Sequence, residues 1–345
     1  MAPRPVPDDL LPWALAAVPA SSPLASSFAM VAGDASNRRY FRLRRGDASY
    51  IVAEAPPATE NNQAFVTVRN ILAQAGVKVP AVLAVDFERG YLLLEDLGDD
   101  TLLPQLHSGS VDGYYQQVFA LLGKVAAIGT KHLAISAYDR PLLSEELGRF
   151  TTWFAEALLG YSINDHERGL VQRLNDRLID AALEQPRVLV HRDFHSRNLM
   201  VQPSGELAVI DFQDAVVGPL TYDLVSLLRD CYIRWPDQQV QQWALNYRAD
   251  RVEQGDPAGI DEAQFLRWFD WMGLQRHVKV LGTFSRLHLR DGKPGYLDDL
   301  PLVIHYVEEI LGKYSDAEPV FAEYRLWFQQ RLRPLILQQS WGADV

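Results

Sequence analysis

The chain has 345 residues, and its 48% hydrophobic and 10% aromatic content excludes a disordered protein and suits one large domain or two. Its 44 acidic side chains outnumber 33 basic ones, for a formal charge of −11, which repels nucleic acid and anionic lipid and excludes both as partners of the bulk surface. A single cysteine, Cys231, rules out an intrachain disulfide and a Cys-rich metal site, and no apolar run reaches membrane-spanning length.

The first 19 residues hold five prolines, with Asp8 and Asp9 among them, so they read as a short helix between breaks and not as a signal peptide. A cytoplasmic protein is the expectation. "RRYFRLR" (38–44) and "SYIVAEA" (49–55) read as strands joined by the turn "RGDA", and 61–76 as a helix carrying Phe65, Val68, Ile71 and Leu72 on one face, with Gly76 as its stop. "VPAVLAVDFERGYLLLEDLG" reads as a strand, a turn at Glu88–Gly90 and a second, fully buried strand.

After Gly98 the pattern turns helical, with predicted helices near 112–130, 144–160, 165–184, 221–234, 236–253, 261–289, 297–313 and 318–336. One β-rich interruption, 187–213, contains a hairpin, "LMVQ-PSGE-LAVIDF", turning at Pro203–Gly205. The fold class expected is therefore α+β. It comprises a small β-rich lobe (1–97, of which 1–24 is an extension), a hinge near Glu95–Gly98, and a large helical lobe (98–345), with a ligand cleft between them.

Chemistry concentrates in "VLVHRDFHSRNLMV" (188–201) and "VIDFQDA" (209–215). The hairpin between them returns Asp211 beside Asn198, thirteen positions earlier, so that a carboxylate and an amide oxygen can hold Mg²⁺ against nucleotide phosphates. Asp193 is then the group to accept a proton from an attacking hydroxyl. His191 reads as a brace for the loop, and Asp223 as a helix cap or a second brace.

His191-Arg192-Asp193, Asn198 and Asp211-Phe212 resemble the H-R-D-x-x-x-x-N and D-F-x motifs of the protein-kinase-like superfamily. The upstream half departs from protein kinases. "AGDASNRRYF" has one glycine, Gly33, in place of a Gly-rich loop, although Ser36, Asn37 and the loop amides could still cradle phosphate as a nest. Ala53 or Glu54 stands where the strand lysine is expected. Arg38 and Arg39 are the nearest substitutes, unless they are solvated strand-edge charges. Only about ten residues separate Asp211 from the next predicted helix, too few to dock a peptide.

Together these features resemble the aminoglycoside phosphotransferase/choline kinase family, a bilobal kinase-like fold whose members phosphorylate small-molecule hydroxyls. The resemblance implies ATP and Mg²⁺ as cofactors, with Glu95 and Leu97 at the nucleotide. Within the family, the segments "GDASNRRYF", "YDLVSLLRDCY" and "GLQRHVKVLGTFSRLHLRDGK" are most similar to its anomeric amino-sugar kinases, which implies a free amino sugar as the small-molecule partner. Trp271, Gln275, Lys279, Gly282 and Arg286 fall on one helical stripe that could stack and hydrogen-bond a sugar bearing a carboxylate, or else form a solvated basic face with Trp271 half buried. An aminoglycoside, choline-like or homoserine acceptor, or a nucleotide-binding pseudokinase, are the competing readings. Nothing in the sequence demands an oligomer, and a monomer would suffice.

Overall fold

The structure, a computed structural model, describes residues 4–18, 26–31, 37–255 and 260–344. The short N-terminal helix α1 (Leu10–Ala17) precedes strands β1 (Ser26–Met30), β2 (Arg39–Arg45) and β3 (Ala48–Glu54), helix α2 (Asn62–Gln74), and strands β4 (Val82–Asp86) and β5 (Tyr91–Glu95). The five strands form one antiparallel sheet in the order β1-β2-β3-β5-β4. The sequence pattern located β2, β3 and α2 within a residue or two and placed β4 and β5 on either side of the Glu88–Gly90 turn; β1 was not anticipated.

Helix α1 is not an appendage to this sheet. Its Leu10 and Ala14 pack with Phe41, Leu43, Val52, Tyr91 and Leu93, and Asp9 accepts a 2.8 Å hydrogen bond from the Tyr91 hydroxyl. Burying such apolar faces is what keeps an eight-residue helix folded, since isolated helices of that length are marginal in water. The β4–β5 turn ends at Gly90, whose φ of +73° and close approach to the Ala55 carbonyl leave no room for a side chain.

The remaining elements are α3 (Val111–Ala126), α4 (Arg140–Arg149) running into a π-helical stretch (Phe150–Leu158), and α5 (Asp165–Leu183). Then follow β6 (Arg187–Val190), β7 (Leu199–Val201), β8 (Leu207–Val209), β9 (Val216–Pro219) and α6 (Tyr222–Leu228). Helices α7 (Asp237–Glu253), α8 (Glu262–Leu289), α9 (Leu300–Tyr314), α10 (Pro319–Trp327) and the short α11 (Arg333–Ile336) complete the chain. Helix α5 starts with a reciprocal cap between Asn164 and Glu167, and α8 with Asp261 accepting from the Gln264 amide.

Two compact units emerge: Met1–Pro104 with Arg197–Asp214, and Gln105–Ser196 with Ala215–Val345. The division thus falls at Pro104 and not near Leu97, and the β7–β8 hairpin joins the first unit. The reason is backbone pairing: Leu102 donates to the Leu199 carbonyl, Val201 to Asp100, and Val209 to Lys78. In the second unit β6 pairs with β9, a long-range ladder where the sequence suggested only a passage into a helix. The helix expected over 221–234 ends at Leu228, where Arg229 leaves helical geometry. Helix α8 is buried almost all round, as befits a helix at the centre of a bundle. Its Gly282 lies against the backbone of Arg149 and Phe150, an approach a Cβ would block.

Candidate active site

The boundary between the two units falls between Ser196 and Arg197, inside the motif. In the second unit, β6 delivers the loop His191–Ser196. Its backbone is strained: Arg192 has φ of +78°, a conformation that costs about 1 kcal/mol or more in a residue with a side chain. Asp223, in the first turn of α6, holds the strained turn by accepting from the His191 amide at 2.7 Å and the Arg192 amide at 3.0 Å. Burial pushes the Asp223 carboxyl up, and the charge of Asp193 adds to it against those two amides, giving about 7.

His191 is buried, lies edge-on to Phe194 and accepts a 3.3 Å hydrogen bond at Nδ1 from the Asp193 amide. Further along, Asp230 fixes Ser196 through both its amide (3.0 Å) and its hydroxyl (2.5 Å). Both bracing roles read from the sequence, for His191 and Asp223, are seen directly.

Asp193 itself is part-buried in a field of cations. Burial alone would raise its carboxyl, but Lys279, His195, Arg192 and Arg276 outweigh burial and hold it at about 2. It is a carboxylate at any physiological pH.

In the first unit, β7 and β8 bring Asn198 and Asp211 together as expected: Asn198 Nδ2 lies 3.4 Å from Asp211 Oδ2, and the Ile210 amide donates to the Asn198 carbonyl. Asp211 has φ of +64°, the second strained side-chain-bearing position of the chain's described residues. Gln213 Nε2 donates to Asp211 Oδ1 at 2.7 Å. The sequence marked Gln213 only as a departure from the Phe-Gly of protein kinases. Its position two residues past the aspartate was the signal for a direct partner.

The donor set suits Mg²⁺, which takes hard oxygen ligands and keeps several waters. Rotating the Asn198 amide by half a turn places its oxygen where Nδ2 lies, giving one carboxylate and one amide oxygen side by side. Among the described residues no group of three His, Cys, Asp or Glu is gathered for a metal, so an all-protein cage for a transition metal is not indicated.

Gly33 and Ser36 lie outside the described residues. Asn37 is exposed; its amide donates to Glu60 and its carbonyl accepts from Arg4. Arg38 and Arg39 are not solvated edge charges. Arg39 faces Glu54 across the β2–β3 ladder and pairs with it at 2.5 Å, while also donating to the carbonyls of Arg4 and Pro5. Glu54, one of the two residues read at the lysine position, is buried and takes a second arginine, Arg4, at 2.8 Å. Arg38 is buried, pairs with Glu60 at 3.3 Å and lies over the ring of Phe65, which in turn packs on Phe212, the neighbour of Asp211.

The Glu95 carboxylate is committed to Lys78 (2.6 Å) and to the Ala81 amide (3.0 Å), so its side chain is not offered to a ligand. Leu97 packs with Met200, Ala208 and Ile210 in an apolar cluster on the hairpin whose ends carry Asn198 and Asp211.

The expected open stripe on α8 is the main correction. Trp271 is 1% exposed, packed against Phe321 and Tyr314 with the guanidinium groups of Arg177 and Arg267 over its ring, so it presents no face for a sugar to stack on. Gln275 is fully buried. Arg286 is half-buried, and burial lowers its proton affinity, with Arg149 and Arg290 adding to the effect. Lys279 is the member of the stripe brought to the loop: it pairs with Glu146 at 3.4 Å, donates to the Tyr222 hydroxyl at 3.0 Å and is the strongest attractive charge on Asp193. Glu146, on α4, had no distinguishing mark in the sequence.

Comparison with known proteins places these features. Residues 28–266 match the model of the phosphotransferase enzyme family (APH). An N-acetylmuramate/N-acetylglucosamine kinase of Pseudomonas putida is 41% identical, over 84% of this chain and 85% of its own. The protein of the same name from Pseudomonas aeruginosa is 42% identical, over 81% and 82%. Among solved structures, an ethanolamine kinase of Plasmodium vivax superposes with a TM-score of 0.62 at 11% identity, covering 82% of each chain, which shows the kinase-like fold. No helix among the described residues is long and apolar enough to cross a membrane.

Proposed function

The chain belongs to the phosphotransferase enzyme family, and from that premise we propose that it transfers the γ-phosphoryl group of ATP to the C1 hydroxyl of N-acetylmuramate and N-acetylglucosamine, giving the α-1-phosphates in peptidoglycan recycling. The observation that carries this reading is Asp193: a braced, ionised carboxylate set in cations, at the position where the family's motif puts its proton acceptor.

Asp193 receives the hydroxyl proton. A carboxylate held at about 2 is a weak base, so it takes that proton only as the new P–O bond forms and the hydroxyl acidifies. An anomeric hydroxyl is more acidic than an ordinary alcohol and suits such a base. Asn198 and Asp211 would hold Mg²⁺, with Gln213 orienting Asp211; when bound, the ion neutralises charge on the phosphates. Most of the remaining acceleration is positioning.

For the nucleotide, Leu97, Met200, Ala208 and Ile210 offer an apolar face to the base, and the Glu95 segment is fixed in place by Lys78. Arg38 is buried in a pair with Glu60 and stacked on Phe65, so like Glu95 it is not offered to a ligand; the sequence before it, with Gly33, Ser36 and Asn37, is the segment we assign to the phosphates. Arg39 and Arg4 instead neutralise Glu54. Cations around Asp193, where a polycationic antibiotic would call for acids, favour an anionic or neutral sugar over an aminoglycoside.

Coupled ADP release across N-acetylmuramate, N-acetylglucosamine, kanamycin, choline and homoserine tests the assignment. Turnover is expected with the two amino sugars alone. Turnover with kanamycin and none with either sugar would overturn it.

A further inference from the structure

Glu146 lies on α4, away in sequence from every motif, yet it is 0% exposed and four partners converge on it. Its Oε1 accepts from Arg192 Nη2 and lies 3.4 Å from Lys279 Nζ, its Oε2 accepts from the Tyr138 hydroxyl, and Arg149 stands 3.9 Å away. The partners are themselves joined. Lys279 donates to the Tyr222 hydroxyl, the Tyr222 ring lies edge-on to Tyr138 at 5.3 Å, and Arg192 is over the Tyr138 ring at 5.6 Å. Helices α4 and α8, the loop after β6 and Tyr138 thus meet on one carboxylate, with α6 joined to it through Lys279.

A buried carboxylate that is not neutralised is strongly unfavourable, so three nearby cations and a phenol are needed to keep Glu146 charged. Burial pushes its carboxyl up, but Lys279, Arg192, Tyr138 and Arg149 reverse this and leave it below its ordinary value. The same two cations, Lys279 and Arg192, also lower the proton affinity of Asp193. The charges that Asp193 feels are therefore shared charges, with Glu146 on the other side of them.

We propose that Glu146 is a positioning residue for phosphoryl transfer: through its contacts with Arg192 and Lys279 it fixes the strained turn that carries Asp193 and offsets the two cations that would otherwise suppress Asp193 as a proton acceptor. The inference rests on Asp193 being that acceptor. Arg192 carries the strain at φ of +78°, and its backbone is tied by Asp223 while its side chain is tied by Glu146, so the turn is clamped from both ends. Removing the negative charge leaves two cations directed at Asp193 with less to balance them. Asp193 then becomes a poorer base, although nothing that touches ATP has changed.

The test compares Glu146→Gln, Glu146→Gln/Lys279→Met and Asp193→Asn with the unmodified enzyme. It measures kcat and KM for ATP and for N-acetylglucosamine. Glu146→Gln is expected to lower kcat by about tenfold or more with KM for ATP within about twofold. The double variant removes one charge of each sign, and its kcat is expected to recover by about threefold or more over the single variant. Packing damage alone predicts the opposite, a double variant slower than the single one, and that result overturns the proposal. So does a Glu146→Gln enzyme with kcat within about twofold of the original while Asp193→Asn is inactive. Full activity in Asp193→Asn would instead remove the catalytic reading underneath. Should Glu146→Gln not fold, Tyr138→Phe decides: it deletes one donor to Glu146 without altering charge, and a lowered kcat at unchanged KM for ATP is expected, whereas an unchanged kcat overturns the proposal.

Discussion

The two motif aspartates are held by opposite means. Asp193, in the second unit, has its amide tied to His191 and its carboxylate set among Lys279, His195, Arg192 and Arg276, so long-range charge governs its proton affinity. Asp211, in the first unit, is met by the side-chain amides of Asn198 and Gln213 and sits on a strained backbone of its own. Amide donors orient the Asp211 oxygens, as the Mg²⁺ ligation proposed above requires. Surrounding cations keep the Asp193 carboxylate ionised and weakly basic, which suits the proton acceptor proposed above. The same side-chain type is thus set in two different environments by its neighbours.

Variants that exchange charge for shape should separate these two modes. The largest effect is expected from Asp193→Asn: turnover falls by about 10³-fold while the Mg²⁺ dependence stays put, measured by ADP release over a Mg²⁺ series. Full turnover would break the comparison at once. Asp211→Asn is next, lowering turnover by about 10²-fold and raising the Mg²⁺ concentration needed for half-maximal rate; an effect on sugar KM alone would contradict a metal-holding role. Gln213→Ala should shift the Mg²⁺ midpoint by about tenfold with a smaller loss at saturating metal, as removal of an orienting partner does.

The smallest effect concerns Asp223. Its carboxyl is raised to about 7 in the fold, above its unfolded value, so it favours the folded state most at low pH, and that contribution is lost as pH rises through about 7. The melting-temperature difference between the unmodified chain and Asp223→Asn should therefore favour the unmodified chain more at pH 5 than at pH 8. Asp193 has the opposite sign: its stabilisation is present above its unfolded value and is lost only as pH falls through about 2. A difference that grows with pH would show that Asp223 is not the raised group.

Much of this was legible along the chain because it is local. The spacing of Asn198 and Asp211 around one short hairpin needs only a turn to become geometry, and β2 to β5 follow from short apolar and aromatic runs between turn residues. What the sequence hid is set by distant partners. Strands β6 and β9 pair across the hairpin between them, and neither run declares its partner. Glu145 and Glu146 are adjacent and identical as letters, yet their side chains are 67% and 0% exposed. Nothing local tells the ion-pair hub from its solvated neighbour. The basic residues of α8 read as an open face because charge normally marks solvent; only the arrival of Glu146 and Tyr222 from other helices lets Lys279 be buried.

The central claim is transfer to the anomeric hydroxyl, and the product of N-acetylmuramate and Mg-ATP tests it most directly. Phosphorus NMR of the product, with a parallel reducing-end assay, should show a sugar 1-phosphate and loss of reducing end in step with ADP release. ADP release that leaves the reducing end intact would place the phosphate on another hydroxyl and contradict the account.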